Sequence, residues 1–145
     1  MKTSDFIIIH HSAAARDRAT LNAVNKAHQK SFNYKSSLGW YVGYHYVIIG
    51  DGTVYQTRND TDYGAHCRAD NMNSKAIGIC LFGNFEIEQP LEKQLESLKK
   101  IVEKLRKKDN IKNSNILGHC QINGSKTVCP GKNLLSWIKY KLLEL

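Results

Sequence analysis

Ala76-Ile77-Gly78-Ile79-Cys80-Leu81-Phe82-Gly83 is uncharged and almost wholly apolar. A half-buried strand alternates apolar and polar side chains, whereas a continuous apolar run suits a strand covered on both faces. The rest of the chain is read for the elements that would surround it.

Upstream, Phe6-Ile7-Ile8-Ile9-His10-His11-Ser12 is rich in β-branched residues and reads as a second strand. Period two puts Phe6, Ile8, His10 and Ser12 on one face, and Ile7, Ile9 and His11 on the other. The adjacent histidines therefore cannot both point into one site. Trp40 to Ile49 is strand-like, Gly50-Asp51-Gly52 breaks it, and Thr53 to Thr57 returns, so a hairpin is expected there. Helical spacing of Leu21, Val24, Ala27 and His28 predicts a helix over about Arg18 to Phe32. After Pro90, the stripe Leu91, Leu95, Leu98, Val102 and Leu105 predicts an amphipathic helix, with the lysine-rich face in solvent. Asn115 to His119 reads as a short strand or its edge, and Leu134, Leu135, Trp137, Ile138, Leu142 and Leu143 as a closing helix. The polar stretch Asn59 to Ser74, carrying Gly64-Ala65-His66-Cys67-Arg68, is a long loop of the kind that usually holds function. The expectation is an α/β fold: one domain over residues 1–145, with a mixed central β-sheet flanked by a few α-helices.

At 145 residues, 41% hydrophobic and 23% charged, the chain has the make-up of a globular domain with its own core. No stretch approaches the roughly 20 apolar residues that span a bilayer. Met1-Lys2-Thr3-Ser4-Asp5 leads into an apolar run too brief for a signal peptide. Synthesis in the cytoplasm is expected, and a site of action outside it would require a separate means of release. Lys and Arg number 21 against 13 Asp and Glu, a formal charge of +8, which suggests an anionic partner, whether nucleic acid, anionic lipid or an anionic polymer of the cell envelope. No base-stacking motif or recognition helix speaks for nucleic acid. Cys67, Cys80, Cys120 and Cys129 show no CxxC spacing, so buried thiols or metal binding are expected before a disulfide framework.

The segment from Gly118 to Gly131 holds His119 and Cys129, two donors suited to zinc, on one short connector. A catalytic zinc takes three protein ligands and keeps an open position for water. His10, on a strand end, could be the third, although this many histidines and cysteines permit other triples.

In order along the chain stand Ile9-His10-His11-Ser12, Gly43-Tyr44-His45-Tyr46, Asp51-Gly52-Thr53-Val54-Tyr55, Gly64-Ala65-His66-Cys67, Ile77-Gly78-Ile79, Gly118-His119 and Cys129-Pro130-Gly131. Each piece is weak alone. Together they resemble the zinc-dependent N-acetylmuramoyl-L-alanine amidases, a family that includes amidase-type phage lysozymes and peptidoglycan recognition proteins. The resemblance implies one Zn2+ per chain on His10, His119 and Cys129. It implies a catalytic role for Tyr44 and a cleft-lining, substrate-binding role for His66. The family's other catalytic position lies two residues before the cysteine, which is Thr127 here. The connector is slightly longer than the family's common form, so Lys126 is the alternative.

The implied reaction is hydrolysis of the amide between N-acetylmuramic acid and L-alanine in peptidoglycan, by a monomer acting as a phage-type endolysin that reaches the cell wall or periplasm through a holin or secretion machinery. Wall-recycling relatives commonly carry aspartate where Cys129 stands, which favours the lysin. A non-catalytic peptidoglycan-binding or regulatory protein of the same fold is the rival from another class. His11, His28 and His45 are expected to be structural or surface residues, and Cys67, Cys80 and Cys120 plain buried thiols. Trp40 and Tyr41 suit either the core or a sugar-stacking surface.

Overall fold

The structure is a computed structural model and describes residues 4–143. The apolar run becomes β4 (Ala76–Leu81), the middle strand of five, with all of its residues buried. Around it lie β1 (Phe6–His11), β2 (Tyr46–Ile48), β3 (Val54–Gln56) and β5 (Ile116–Gly118), in the order β3-β2-β4-β1-β5. β2, β4, β1 and β5 run parallel, and only β3 is antiparallel, paired to β2 as the predicted hairpin. The mixed sheet expected from the sequence is therefore present, and a covered parallel centre explains the unalternating composition of β4.

The period of two in β1 sorts its residues between the sheet's faces. Ile7 and Ile9 join Ile77, Ile79 and Leu81 in the main core, against Leu98, Val102 and Leu105 of α3 (Glu92–Asp109) and Leu134 of α4 (Lys132–Trp137). Ile8 points the other way, toward Cys67, Met72 and Ile122. On that side Val42, Val47, Cys80 and Phe82 are covered by Leu21 and Val24 of α1 (Leu21–Ser31) and by Trp40, which packs against this cluster while partly buried.

Three elements differ from expectation. α1 begins at Leu21 because Thr20 caps it, its hydroxyl accepting from the Ala23 amide at 3.1 Å. Leu91 is not on the buried stripe of α3; it is the extended N-cap, and buried Gln94 donates to Phe82 O at 2.9 Å in its place. The loop after β3 contains a 3-10 turn (Ala69–Asn71) and the short helix α2 (Met72–Lys75).

Trp40 to Ile49 is a further departure, since only Tyr46 to Ile48 join the ladder. The Trp40, Gly43 and Tyr44 carbonyls are taken by Ser36, Ala65 and Thr57, and those of Tyr41 and Val42 by Arg58, whose side chain is fully buried. Its Nε donates to Val42 O at 2.7 Å, Nη2 to Tyr34 O at 2.6 Å and Tyr41 O at 3.5 Å, and Nη1 to Tyr63 O at 3.3 Å. The guanidinium ties the loop before β2 to the loop after β3, and so shapes the segment that presents Tyr44.

Arg58→Met would leave several buried carbonyls without donors, at about 1–3 kcal/mol each. Urea denaturation is expected to show a loss of at least about 3 kcal/mol, and Arg58→Lys only partial recovery, because an ammonium cannot reproduce the planar fork. A loss under about 1 kcal/mol in Arg58→Met would contradict this account.

Candidate active site

Parallel pairing sets Ile9 opposite Gly118. One residue further on, His10 and His119 emerge from neighbouring strand ends on the same face, their ring centroids 4.7 Å apart. This is the carboxyl edge of the parallel strands, where open α/β sheets commonly bind ligands. After His119 the chain makes a 3-10 turn (His119–Gln121) and loops back, and the Cys120 amide donates to Cys129 O at 2.7 Å.

Two glycines seat the returning segment. A Cβ on Gly118 would lie 2.8 Å from Pro130 Cδ, so the absent side chain is what lets Pro130 pack there. Gly131 has φ +90° and its backbone lies against Phe85, where a Cβ would come within 2.5 Å of the Phe85 carbonyl carbon. Pinned on both sides, Cys129 projects its sulfur between β1 and the loop. The sulfur lies 3.5 Å from His10 Nδ1 and accepts from the His11 amide at 3.4 Å. His11, on the opposite face as the alternation requires, accepts from the Phe85 amide at 3.1 Å through Nδ1.

The donor atoms of His10, His119 and Cys129 all lie within 4.8 Å of one another. Zinc bonds of about 2.0–2.1 Å to nitrogen and 2.3 Å to sulfur at a tetrahedral angle require N···S separations of about 3.6 Å. The observed 3.5 Å from His10 Nδ1 to the sulfur fits. His10 Nε2 lies 2.9 Å from His66 Nδ1. With that nitrogen donating to His66, Nδ1 keeps its lone pair for a metal, and the ring is held by an outer partner as metal-binding histidines usually are.

Burial holds His10 well below the ordinary histidine range, and neighbouring histidines, His119 first, add to the effect. Burial also lowers His119. Both rings are thus neutral donors at neutral pH. Burial pushes the Cys129 thiol up to about 12, opposed by the His11 amide. A metal cation would replace that proton, since only the thiolate ligates. The residues fit a zinc ion.

His66 rests where Gly78 has no side chain, and a Cβ there would come within 2.7 Å of its ring. Asn73 Oδ1 holds the backbone below it, accepting from the His66 amide at 2.7 Å and the Cys67 amide at 2.8 Å. His45 is fully buried; its Nδ1 accepts from the Gly78 amide at 3.0 Å and its Nε2 donates to Asp62 O at 2.9 Å. It is structural.

Tyr44 lies with its ring centroid 5.0 Å from that of His10. Burial, with Cys80 and Cys129 nearby, pushes its phenol well above the ordinary range, so it remains a hydrogen-bond donor. Its backbone is set from α1, where His28 Nδ1 accepts from the Gly43 amide at 2.8 Å.

His66 and His119 open onto a cavity of about 530 Å³, which Phe32, Arg68, Asn73 and Ser125 also line. Tyr44, His28, Ser12 and Arg18 line a separate hollow of about 240 Å³. The loop before Cys129 reaches the larger cavity through Gly124 and Ser125. Lys126 and Thr127 are exposed, and Thr127 Oγ1 accepts from the Cys129 amide at 3.1 Å, beside a groove shared with Glu86 and Cys120. Sequence reasoning missed Ser125, Asn73 and Arg68 as cavity residues. All three stood in segments already marked as functional, Arg68 and Asn73 in the Asn59 to Ser74 loop and Ser125 between His119 and Cys129, but no local pattern said which side chains faced the cavity. All four cysteines are free thiols.

The model of the N-acetylmuramoyl-L-alanine amidase family matches residues 1–132, and the chain belongs to that family. It is 32% identical over 136 residues to peptidoglycan-recognition protein SC2 of Drosophila melanogaster, covering 92% of this chain and 72% of that one. Among solved structures it is similar to the endolysin N-acetylmuramoyl-L-alanine amidase LysCS of Clostridium intestinale, at 31% identity and a TM-score of 0.80 over 97% of this chain and 84% of that one. A mutant of Drosophila PGRP-LB in complex with tracheal cytotoxin matches at 28% identity and a TM-score of 0.77, over 97% and 83% of the two chains.

His28 generates a test of this architecture. Burial, then the Arg58 charge, lowers it from 6.5 to about 4. The unfolded chain therefore binds a proton that the folded chain refuses between those values, and stability falls as pH drops through that window. Discounted for the partial exposure of the ring, the loss would be about 1–2 kcal/mol. His28→Gln keeps an acceptor for the Gly43 amide without a titrating ring. Urea titrations from pH 7 to pH 4 are expected to show a smaller acid-induced loss in this variant, and an identical slope would refute the assignment.

Proposed function

We propose that this member of the family is a catalytically active zinc amidase, cleaving the bond between N-acetylmuramic acid and L-alanine in the manner of an endolysin. The observation that carries the reading is the complete donor set of His10, His119 and Cys129, opening through His119 onto a cavity large enough for a peptide. A protein that only recognised peptidoglycan would have no need of it. The endolysin role rests on the similarity to LysCS and on cysteine, instead of aspartate, at position 129. Its place of action would be the cell wall.

Zinc held by His10, His119 and Cys129 would supply Lewis acidity and a water acidic enough to attack an amide at neutral pH. The chain's own residues divide the rest. His66 holds the His10 ring through the 2.9 Å bond and borders the cavity, so it both positions His10 and meets substrate. Tyr44, kept protonated by burial, stands beside His10 on the side of the neighbouring hollow with its phenol against Cys80, and would turn that donor to the amide oxygen as it gains negative charge. Thr127, two residues from Cys129, is the second donor; its hydroxyl now engages the Cys129 amide and would turn toward the substrate when that is bound. Desolvation of the peptide in the cavity and the hydrogen-bond donors around the site would account for most of the rate enhancement.

Protein loaded with zinc is expected to release new L-alanine amino groups from purified sacculi, with the bond identified by mass spectrometry. Binding to sacculi without release would instead establish the recognition role. His10→Ala, His119→Ala and Cys129→Ala should each lose the bound zinc by elemental analysis, and full zinc content in Cys129→Ala would disprove the ligand set.

Tyr44→Phe and Thr127→Ala should keep zinc and lose about 10²–10³-fold in kcat. A larger loss in Lys126→Ala than in Thr127→Ala would transfer the donor role to Lys126.

A further inference from the structure

The large cavity contains a charge that the hydrolytic chemistry does not use. Arg68 lines it together with His66, His119 and Ser125, and among the described residues no carboxylate does. Asp70, the acid closest to it in sequence, is paired with Lys75 at 3.6 Å. Arg68 itself takes part in no ion pair among the described residues.

The backbone beneath Arg68 is held in place. Asn73 grips the two amides before it, and the Arg68 carbonyl accepts from the Asn71 amide at 3.3 Å. Asp70 and Asn71, at φ 51° and 58°, turn the chain back on itself there. A long cationic side chain thus stands on a fixed base, exposed at the mouth of a site. A guanidinium presents a planar fork that matches a carboxylate bidentately.

The glycan side of the scissile bond carries hydroxyl and acetamido groups with no charge, whereas the stem peptide carries free carboxylates unless they are amidated. We propose that Arg68 is a specificity residue that pairs with the first free carboxylate on the peptide side of the scissile amide. The chain would thereby distinguish a free α-carboxyl at the second stem residue from its carboxamide. The proposal rests on the amidase reading for the identity of the ligand.

The test uses two soluble fragments in which the γ-carboxyl of the second residue is closed in an amide, muramyl-L-alanyl-γ-D-glutamyl-L-lysine and its α-carboxamide counterpart muramyl-L-alanyl-D-isoglutaminyl-L-lysine, with the zinc-loaded protein. Amine release gives kcat and KM, and calorimetry gives the dissociation constants. The wild type is expected to favour the free acid by about tenfold in kcat/KM, through KM, as a charge-assisted hydrogen bond would produce. Arg68→Ala should bring the ratio close to one, and Arg68→Lys should keep part of it. Arg18→Ala, which removes the guanidinium lining the other hollow, should leave the ratio as it is. Equal rates for both fragments in the wild type, a preference that survives Arg68→Ala, or one lost in Arg18→Ala would each overturn the proposal while the amidase reading stands. Selective, Arg68-dependent binding without cleavage would keep the carboxylate site and overturn the amidase reading. Neither binding nor cleavage of either fragment would overturn both.

Discussion

Parallel pairing of β1 with β5, Ile9 beside Gly118, is the constraint from which the site follows. A strand's side chains alternate strictly, so a slip of one residue would send His10 to the core face and leave His11 in the cleft. The register is held by Ile7 and Ile9 packing on one face and Ile8 on the other, all fully buried. Hydrophobic burial in the sheet therefore does chemical work at its edge. It decides which histidine can meet His119.

Close approach is the second requirement. Gly118 admits Pro130, Gly131 lies against Phe85, and Gly78 admits the His66 ring; in each case a Cβ would fall inside 3.0 Å of its neighbour. Beneath His66, the fully buried His45 bridges Gly78 and Asp62 through both ring nitrogens. The first layer (His10, His119, Cys129) is thus backed by His66 and then by His45. Preorganisation of this kind is what a metal site needs, because a ligand free to swing gives up affinity to entropy.

Charge is arranged with the same economy. Arg58 is buried and spends its donors on four carbonyls, shaping the loop that carries Tyr44. Arg68 is exposed and left facing a cavity. Two arginines ten positions apart have different roles because one is enclosed by two loops and the other stands at the edge of a hollow.

Much of this could be read before any coordinates. The continuous apolar run had to be an inner strand, the Asp51-Gly52 turn had to close a hairpin, and alternation alone put His10 and His11 on opposite faces. These are local consequences of strand period and turn chemistry, and they survive whatever surrounds them. The ordered motifs went further and pointed to the amidase family and to three ligands. Other features lay beyond a local reading. Trp40 to Tyr44 looked like strand, yet a distant guanidinium claimed the Tyr41 and Val42 carbonyls and other loops claimed the rest. Leu91 looked like core, yet it caps α3 while Gln94 enters the interior. Above all, the loop from Ile122 to Val128 has no period, so nothing in its own residues says which side chains face the cleft. Contacts with other segments decide that: Ser125 sits 4.0 Å from Cys67, and Thr127 is turned onto the Cys129 amide. The sequence by itself determined the strands, the faces and the donor types, because these depend on neighbours along the chain. The cavity, its lining and the seating of Cys129 were decided only by the tertiary structure, where segments far apart in sequence exclude one another's volume.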